Sequence, residues 1–414
     1  MTTSDKPRTG WRALPRNVWA VSATSFFTDI SSEMVINLIP LFLANVLGEK
    51  TVIIGLIEGI AETTASLIKI FSGWLSDKLG QRKWLTVSGY SLSTIAKPFL
   101  YFVTSWPLVL LVRFTDRVGK GIRTAPRDAL VADSIDKGQR GLAFGLHRAA
   151  DTGGAFVGLL IAALVIWATQ AGQMNLTRET FQTVVLLSIV PAVLAVIVLA
   201  LAARDVPIPG LKSQAPRLSL KGFDRRFKIF LVIVVLFTLG NSSDAFLILR
   251  AQNLGVSTLG VMGLLLAFTL VYTLVSGPAG ALSDRIGRRK LIVGGWLLYG
   301  LVYLGFALAG QGWQVLLAYA VYGVYYGMVE GTAKALVADV VTPAQRGTAY
   351  GVYNAAVGLT AFPASFIAGL LWQGIGPWGG FGASAPFLFG AALAILAAGL
   401  MAFWLPRLKR EPAT

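Results

Sequence analysis

The residues of this sequence that could do chemistry are charged side chains set inside long apolar stretches. Asp29 and Glu33 lie four residues apart, so they share one face of a helix, and Glu58 and Glu62 have the same spacing. A third stretch carries a helical stripe made of Arg113, Arg117, Lys120 and Thr124. A charge at the centre of a membrane helix costs about 2.5–3.5 kcal/mol, so each needs a partner, a water-filled cavity or a lipid headgroup.

Two interpretations of these charges are open. In the first, Arg117 and Arg148 attract an anionic substrate group across a central cavity, while Asp29 and Glu33 balance them and exchange protons. In the second, Asp29–Arg117 and Arg148–Asp151 are static pairs that hold helices together. Basic residues outnumber acidic residues on the stripe around Arg117, which favours the first interpretation.

Three further titratable groups are candidates for moving or sensing protons. Glu58 and Glu62 share a face in a low dielectric, where two carboxylates resist being ionised together, so one of them could carry a proton. The alternative is that both lie near the wetter outer end of their helix and meet water or a basic neighbour. His147 is the only histidine, and it is either a pH or substrate sensor or a packing residue.

The second half of the chain has fewer charges and more hydrogen-bonding and aromatic groups. Asn241, Asp244, Tyr322 and Asn354 are candidates for holding the nonreacting part of a substrate, although a tyrosine stripe also suits helix packing. No set of residues has the types and spacing of a metal site. We therefore expect no metal and no cofactor, with a proton gradient as the energy source.

The elements that must position these residues are membrane helices. Apolar residues make up 55% of the 414 residues, charged residues 14%, and the mean hydropathy is +0.67, which is too apolar for a soluble protein of this length. Pro98 is expected to kink the third span beside Lys97. The twelve predicted spans, each long enough to cross a bilayer, are 19–47, 52–76, 84–104, 107–126, 141–168, 182–203, 228–249, 258–282, 291–310, 313–334, 348–373 and 386–405.

The charges between the spans predict the orientation. Basic residues concentrate in the loops of one side, while the other side carries only Lys50, Arg178 and Arg250, so both termini are predicted to be cytoplasmic. Residues 1–16 show no cleavage pattern, so the N-terminus is expected to stay attached to an integral protein of the cell (inner) membrane. The net charge of +16 lies in loops beside lipid, which argues against nucleic-acid binding, and the absence of cysteine excludes disulfides and thiol catalysis.

Internal repetition divides the chain into two halves. The phrase "GWLSDKLGQRKW" at 73–84 returns as "GALSDRIGRRKL" at 280–291, and "ALVADSIDKGQRGLAFG" at 129–145 returns as "ALVADVVTPAQRGTAYG" at 335–351. A polar segment at 204–228 reads as a cytoplasmic linker. It separates a six-helix bundle at 1–203 from a second, parallel six-helix bundle at 229–414, and such bundles leave a site between them near the membrane midplane.

The repeated phrase resembles the loop signature G-x-L-x-D-R-x-G-R-R/K of the major facilitator superfamily. "RFTDRVGKG" at 113–121 is similar to another motif of that family, and Arg113 falls on an arginine that the family links to proton coupling, while Asp116 replaces a glutamine. The resemblance implies an all-α membrane protein with the fold of that superfamily. The fifth span, "GLHRAADTGGAFVG" at 145–158, lacks the Gly-Pro pair that drug/proton antiporters of the family carry there.

The resemblance also implies that the repeated phrase latches one conformation. Asp77 is expected to meet basic groups or a helix N-terminus across the interface between the halves, and the alternative is a solvated loop that only sets topology. Gly73 and Gly280 are expected to permit close helix approach, and Gly80 and Gly287 to permit tight turns. The predicted latch residues are Gly73, Asp77, Gly80, Arg82, Gly280, Asp284, Gly287 and Arg289.

These observations predict a secondary active transporter that works by alternating access. We expect coupling to protons and export of a small organic solute, with uptake of an organic anion or lipid flipping as the alternatives. No nucleophile is paired with a base and no P-loop is present, so an enzyme is not expected. The expected partners are a small-molecule substrate, protons and the lipid bilayer, and the expected oligomeric state is a monomer.

Overall fold

A computed structural model describes residues 14–135, 140–206, 220–341 and 346–404, and in these residues every regular element is a helix. The helices form twelve spans, numbered here in chain order. Spans 1 to 6 are Arg16–Ile36 with Ile39–Leu41 and Phe42–Val46, Thr51–Leu79, Lys83–Ala96 with Lys97–Phe102, Trp106–Asp133, Arg140–Gln170 and Arg178–Ala202. Spans 7 to 12 are Arg225–Gly240 with Ala245–Asn253, Thr258–Ile286, Arg288–Leu308, Gly312–Asp339, Arg346–Gln373 and Ala385–Phe403.

The segment between the halves runs from the end of span 6 at Ala202 to the start of span 7 at Arg225, against a predicted linker of 204–228. Residues 207–219 of that linker, and the chain ends that were predicted to be cytoplasmic, lie outside the described residues. We call the membrane side that carries this segment the linker side and the opposite side the far side.

Two spans change course beside a proline. Pro40 has no N–H for the carbonyl of Ile36, so the first helix of span 1 ends there and the chain continues through a π-helical turn at Phe42–Val46. Span 3 changes to a 3₁₀-helix at Lys97, directly before Pro98. The kink predicted at Pro98 is therefore confirmed, whereas the break in span 1 was not predicted.

Span 7 is interrupted by a cluster of turn residues, Gly-Asn-Ser-Ser-Asp at 240–244. Backbone groups freed inside a membrane must find other partners. The carbonyl of Gly240 accepts from the hydroxyl of Tyr299 at 3.1 Å, and the amide of Ser243 donates to Ser365 Oγ at 3.2 Å. The break is thus stabilised by spans 9 and 11, and it places Asp244 between two helical segments.

The two halves pack by the same pattern. In the first half, span 1 packs against spans 5 and 6, and span 4 packs against spans 2 and 3. In the second half, span 7 packs against spans 11 and 12, and span 10 packs against spans 8 and 9. The repetition read in the sequence is therefore a repetition of structure, and the fold is that of the major facilitator superfamily with two parallel-related six-helix bundles.

The outer surface suits a bilayer. Nine helices of the described residues are long and apolar enough to cross a membrane by length and composition. Spans 3, 4 and 10 are not among them because span 3 is interrupted, span 4 carries many charges and span 10 is rich in tyrosine and glycine. Large apolar side chains are exposed along the helices. They include Phe71, Ile95, Phe99, Leu160, Leu164, Trp167, Leu186, Leu274, Leu301 and Leu317.

Small residues bring the halves together along spans 2 and 11. A side chain at Gly59 would place its Cβ 2.9 Å from Phe362 Cα, and one at Gly358 would collide with Ser66. On the far side, the amide of Thr51 donates to Gln373 Oε1 at 2.7 Å. Contact this close between backbones is the way helices associate in lipid, where the hydrophobic effect does not drive them together.

Hydrogen bonds between the halves seal the far side only. They include Thr258 N to the carbonyl of Met174 at 3.1 Å and Gln252 Nε2 to Asn175 Oδ1 at 3.3 Å. Among the described residues, the bonds between the halves that lie nearest the linker side are those of Arg148, and none joins the linker-side ends of the helices. A cavity of about 550 Å³ lies there. The structure therefore shows a carrier closed on the far side and open on the linker side.

Candidate transport cavity

Two ion pairs connect spans 2 and 4 as rungs of a ladder. Glu58 accepts from Arg113 at 2.7 Å, and one turn further along both helices Glu62 lies 3.3 Å from Arg117. Both members of the first pair are buried, which rules out the wet outer end that was the alternative for Glu58. In the second pair Arg117 is buried, but the Glu62 side chain is 46% exposed. The pair of Glu58 with Arg113 is thus shielded from water, whereas in the pair of Glu62 with Arg117 the carboxylate reaches water.

The two arginines predicted to attract an anion already have acidic partners. Arg117 lies near Glu62 and, at 3.9 Å, near Asp116 of its own helix. Arg148 donates to the hydroxyl of Tyr272 and lies 3.2 Å from Glu330, both of which belong to the second half. Neither static pair considered from the sequence, Asp29–Arg117 or Arg148–Asp151, is formed in the structure.

The span 1 carboxylates have no such partner. Asp29 and Glu33 are half-buried, and no basic nitrogen of the described residues lies within 4.0 Å of either carboxylate. Glu33 Oε2 accepts only from Asn37 Nδ2, at 2.9 Å, beside the break in span 1. The structure thus leaves two acidic groups of span 1 without a counter-ion within 4.0 Å among the described residues.

Lys97 and Lys120 are among the cations of the first half that lack a carboxylate within 4.0 Å in the part of the chain that is described. Lys97 is buried, and its Nζ donates to Ser31 Oγ at 2.5 Å and to Ser32 Oγ at 3.2 Å. Lys120 is exposed in the middle of span 4 and interacts electrostatically with Glu62 of the neighbouring span. Spacing in the sequence indicated the face of Lys120 but not that it would lack a partner.

His147 is buried, and its closest charged neighbour is Asp151, with Nε2 3.8 Å from Oδ2. Neither ring nitrogen has a hydrogen-bond partner among the described residues. The described residues also contain no group of three or more histidine, cysteine or acidic side chains that could hold a metal ion. The sensor and packing interpretations of His147 both stay predictions.

In the second half, the predicted residues gather around the break in span 7. Asp244 accepts from the hydroxyl of Tyr322 at 2.8 Å, and Asn241 Oδ1 accepts from Tyr299 at 3.3 Å. Asn354 lies half-buried in span 11 and has no hydrogen bond to another described residue. Asp244 and Tyr322 are thus in direct contact, whereas Asn354 is not part of their network.

A continuous aromatic surface extends from Tyr322 towards the linker side. Phe268 lies 5.5 Å from Tyr322 and 5.6 Å from Tyr326 between ring centres, and Tyr326 lies 5.5 Å from Tyr272. The hydroxyl of Tyr272 donates to Glu330 Oε2 at 2.7 Å. We call these four rings the aromatic wall, and a carboxylate lies at each end of it. Sequence analysis missed Phe268 and Tyr272 because only the packing of span 8 against span 10 brings the rings together.

Each copy of the repeated phrase forms the same acid–arginine–acid cluster. In the first half Arg82 lies 2.9 Å from Asp77 and 2.5 Å from Asp133 at the end of span 4. In the second half Arg288 lies 3.7 Å from Asp284 and 2.6 Å from Asp339 at the end of span 10. In this conformation Asp77 therefore contacts its own half.

The structure also shows which residues of this cluster were missed. Asp133 and Asp339 are both the fifth residue of the second repeated phrase, at the end of its opening "ALVAD", so that repeat could have identified them. Arg289, which was predicted for the latch, instead donates its Nε to the carbonyl of Met401 at 2.9 Å, at the end of span 12. The arginine that bridges the two acids of the second half is its neighbour, Arg288.

The glycines of the phrase differ in role. Gly80 and Gly287 have φ of 62° and 96°, which L side chains rarely adopt, as tight turns there require. A side chain at Gly73 would place its Cβ 3.2 Å from Ala125, so this position does permit close approach. The same expectation for Gly280 is wrong, because nothing lies within 4 Å of a Cβ there and the residue faces the cavity.

Twelve spans in two halves of equal pattern, with a cavity on the linker side lined by Arg148 of the first half and by spans 8 to 10 of the second, define a membrane transporter. The chain belongs to the Major Facilitator Superfamily, whose family model matches residues 21–249 and again residues 229–414. The resemblance carried by the repeated phrase is thereby confirmed, and with it an integral membrane protein that performs secondary transport.

Similar proteins support the family and leave the solute open. The chain is 35% identical over 398 residues to the uncharacterized MFS-type transporter MJ1317 of Methanocaldococcus jannaschii, covering 95% of this chain and 96% of that protein. It is 32% identical over 151 residues to Multidrug resistance protein 2 of Bacillus subtilis, covering 36% of this chain and 35% of that protein. The fold matches the crystal structure of a D-xylose-proton symporter with a TM-score of 0.75 at 16% identity, over 94% of this chain and 98% of that one.

Proposed function

We propose that the protein uses the proton gradient to export a small organic solute by alternating access. The proposal includes a monomer in the cell (inner) membrane with its termini and linker side in the cytoplasm, as the concentration of basic residues on that side supports. The energy comes from protons, and no cofactor takes part.

The observation that carries proton coupling is the state of Asp29. Its carboxylate is half-buried and has no basic nitrogen within 4.0 Å among the described residues. The charged groups that act on it from the packed spans are Asp151 of span 5, Glu33 of span 1, and Arg127 and Lys120 of span 4. A carboxylate between two other acids, with its cations at a distance, changes protonation when the surrounding helices move, which is what a proton carrier has to do.

In an export cycle, the conformation that is open on the linker side is the one that loads solute. With the linker side open, a solute enters the cavity from the predicted cytoplasm, and protons return when the far side opens. The name of the B. subtilis relative, a multidrug resistance protein, also favours export, although that match covers about a third of each chain.

A second candidate is proton-coupled uptake of an organic anion. The observation in its favour is Lys120, an exposed cation in the middle of span 4 with no carboxylate within 4.0 Å among the described residues. An anion in the cavity would give this lysine a partner. Lys120→Gln separates the two candidates, because it should abolish uptake of anions and leave export of other solutes intact.

The experiment is transport in proteoliposomes with an imposed pH gradient and a panel of cationic, anionic and neutral solutes. Asp29→Asn should abolish gradient-driven accumulation while leaving solute counterflow, which requires no net proton movement, near the rate of the unsubstituted protein. Asp224→Asn, at the linker-side start of span 7, is the matched control and should change neither measurement.

Two outcomes contradict the proposal at different levels. If no solute of the panel moves with the pH gradient, proton-coupled transport is excluded. If Asp29→Asn still accumulates solute at the original rate, coupling stands and another carboxylate carries the proton.

A further inference from the structure

The two ends of the aromatic wall have the same construction. At the linker-side end a tyrosine hydroxyl, that of Tyr272, donates to the carboxylate of Glu330 at 2.7 Å. At the other end the hydroxyl of Tyr322 donates to the carboxylate of Asp244 at 2.8 Å. Phe268 and Tyr326 lie between these two tyrosines and touch both, so the rings form one surface with an acid at each end.

One end already holds a cation, which is part of the protein. The guanidinium of Arg148 lies 5.5 Å from the ring centre of Tyr272 and 3.2 Å from Glu330 Oε2. Lys334 adds a second positive charge 3.4 Å from the same carboxylate. At this end, therefore, a positive charge lies between the face of an aromatic ring, that of Tyr272, and a carboxylate, that of Glu330.

The other end has the same groups and no cation. Asp244 is exposed at the break in span 7, and no basic nitrogen of the described residues lies within 4.0 Å of its carboxylate. The charged groups that act on it from the opposite half are Glu33, Glu58 and Glu62, all of them acidic. Asp244 is thus an exposed carboxylate beside aromatic rings, with no cation of the described residues within 4.0 Å.

We propose that Asp244 and the half-buried rings of Phe268 and Tyr326, against which the buried ring of Tyr322 packs, bind the positively charged nitrogen or phosphorus of an organic monocation whose apolar body lies along the wall. The wall supplies apolar contact and the negative faces of its rings, and Asp244 supplies the counter-charge. This substrate class rests on the proposed function for its route across the membrane, but binding can be measured without transport.

The charge of the solute follows from both ends together. A solute with one positive charge fits because Arg148 already occupies the linker-side end of the wall. A second positive charge on the solute that reached this end would be repelled by the guanidinium. An organic anion of the same shape would approach the carboxylate of Asp244, which has no basic partner within 4.0 Å among the described residues. The wall therefore selects by sign of charge rather than by apolar surface alone.

The test is equilibrium binding of labelled tetraphenylphosphonium to the purified full-length protein, with tetraphenylborate as an anionic competitor of the same shape. Tetraphenylphosphonium should bind, and tetraphenylborate should not displace it. Asp244→Asn preserves the size of the side chain and should weaken binding about tenfold or more, since it removes the only counter-charge at that end. Asp224→Asn, outside the cavity, is the matched control and should leave the affinity unchanged.

A second variant keeps the inference testable if Asp244→Asn does not fold. Phe268→Leu keeps every charge and removes one ring face, so it should weaken tetraphenylphosphonium binding about two- to fivefold. The inference is overturned if the unsubstituted protein does not bind tetraphenylphosphonium, if tetraphenylborate competes equally well, or if Asp244→Asn folds and keeps the original affinity.

The outcomes separate this inference from the proposed function. Binding that depends on Asp244, without movement of any solute by a pH gradient, supports the cation site and contradicts proton-coupled transport. Gradient-driven transport of other solutes, with no Asp244-dependent cation binding, supports the transporter and contradicts the site.

Discussion

At the scale of single residues, the rungs between spans 2 and 4 separate structural charge from accessible charge. Glu58 and Arg113 are both buried and pair through one guanidinium nitrogen, which lies 2.8 Å and 2.7 Å from the two carboxylate oxygens. Glu62 is held by a buried arginine but is itself half in water. The two glutamates predicted for coupling thus differ in surroundings: Glu58 is buried against Arg113, and Glu62 reaches water.

Removing one partner of the buried pair should therefore be costly. Glu58→Gln leaves Arg113 charged and buried without a counter-ion, and we expect a loss of about 3–5 kcal/mol in the free energy of unfolding. Glu62→Gln, on the rung whose carboxylate reaches water, should cost less, because Arg117 is buried but still has Asp116 at 3.9 Å as a counter-charge. Reversible unfolding in mixed micelles measures both values.

Equal losses for the two variants would contradict the difference in burial between the rungs. The double substitution Glu58→Leu with Arg113→Met is a further check. It should recover most of the stability, because replacing a buried ion pair by apolar side chains is often neutral or stabilising.

At the scale of elements, sequence patterns predicted the helices well and their interruptions poorly. The twelve apolar stretches and the kink at Pro98 followed from length and side-chain chemistry alone. The break at 240–244 lies inside an apolar stretch, and its freed backbone groups are satisfied by Tyr299 and Ser365 from distant parts of the chain. No local pattern could have indicated those partners.

The same limit applies to the candidate site. Spacing placed Arg117 and Lys120 on one face of span 4, and it placed Asp29 and Glu33 on one face of span 1. It could not predict which faces would meet, because the rotation of each helix is set by packing against others. Arg148 therefore found Glu330 in the opposite half rather than Asp151 on its own helix.

The close contact of spans 2 and 11 makes a prediction at this scale. A leucine at Gly358 would collide with Ser66, so Gly358→Leu should disfavour the conformation that is sealed on the far side. The chain has no cysteine, so Thr51→Cys, which is 5% exposed here, gives a single reactive site on that side. We expect Gly358→Leu to raise the rate at which a water-soluble maleimide labels this cysteine.

Gly263→Leu is the matched control, because nothing lies within 4 Å of a Cβ at Gly263. It should leave the labelling rate unchanged. An unchanged rate in Gly358→Leu as well would show that the spans 2 and 11 contact does not seal the far side.

At the scale of the whole molecule, the ion pairs of the repeated phrase lie within each half and not across the interface between the halves in this conformation. Asp77 and Asp284 both bind an arginine that also binds the acid at the end of the fourth span of their half. A carboxylate committed to its own half while the linker side is open has to change partner if it is to latch the closed linker side. The latch is therefore a proposal about the opposite conformation.

Asp77→Asn tests that proposal. It should shift the balance between the two conformations towards the linker-side-open state, while the affinity of that state for solute stays unchanged. Distances between spin labels on linker-side helix ends of the two halves measure the populations. Asp284→Asn is the comparison within the other copy of the phrase, and no change in population with Asp77→Asn would contradict the latch.

Arg148 has a consequence for the order of events in a transport cycle. Its guanidinium is attached to the first half, whereas the Tyr272 and Glu330 that hold it belong to the second. When one half moves against the other, Arg148 must either leave Tyr272 and Glu330 or move with them. The protein thus contains its own cation that competes with solutes for the linker-side end of the aromatic wall. A solute that moved from Asp244 to Tyr272 and Glu330 would displace Arg148 and thereby break its contacts between the two halves.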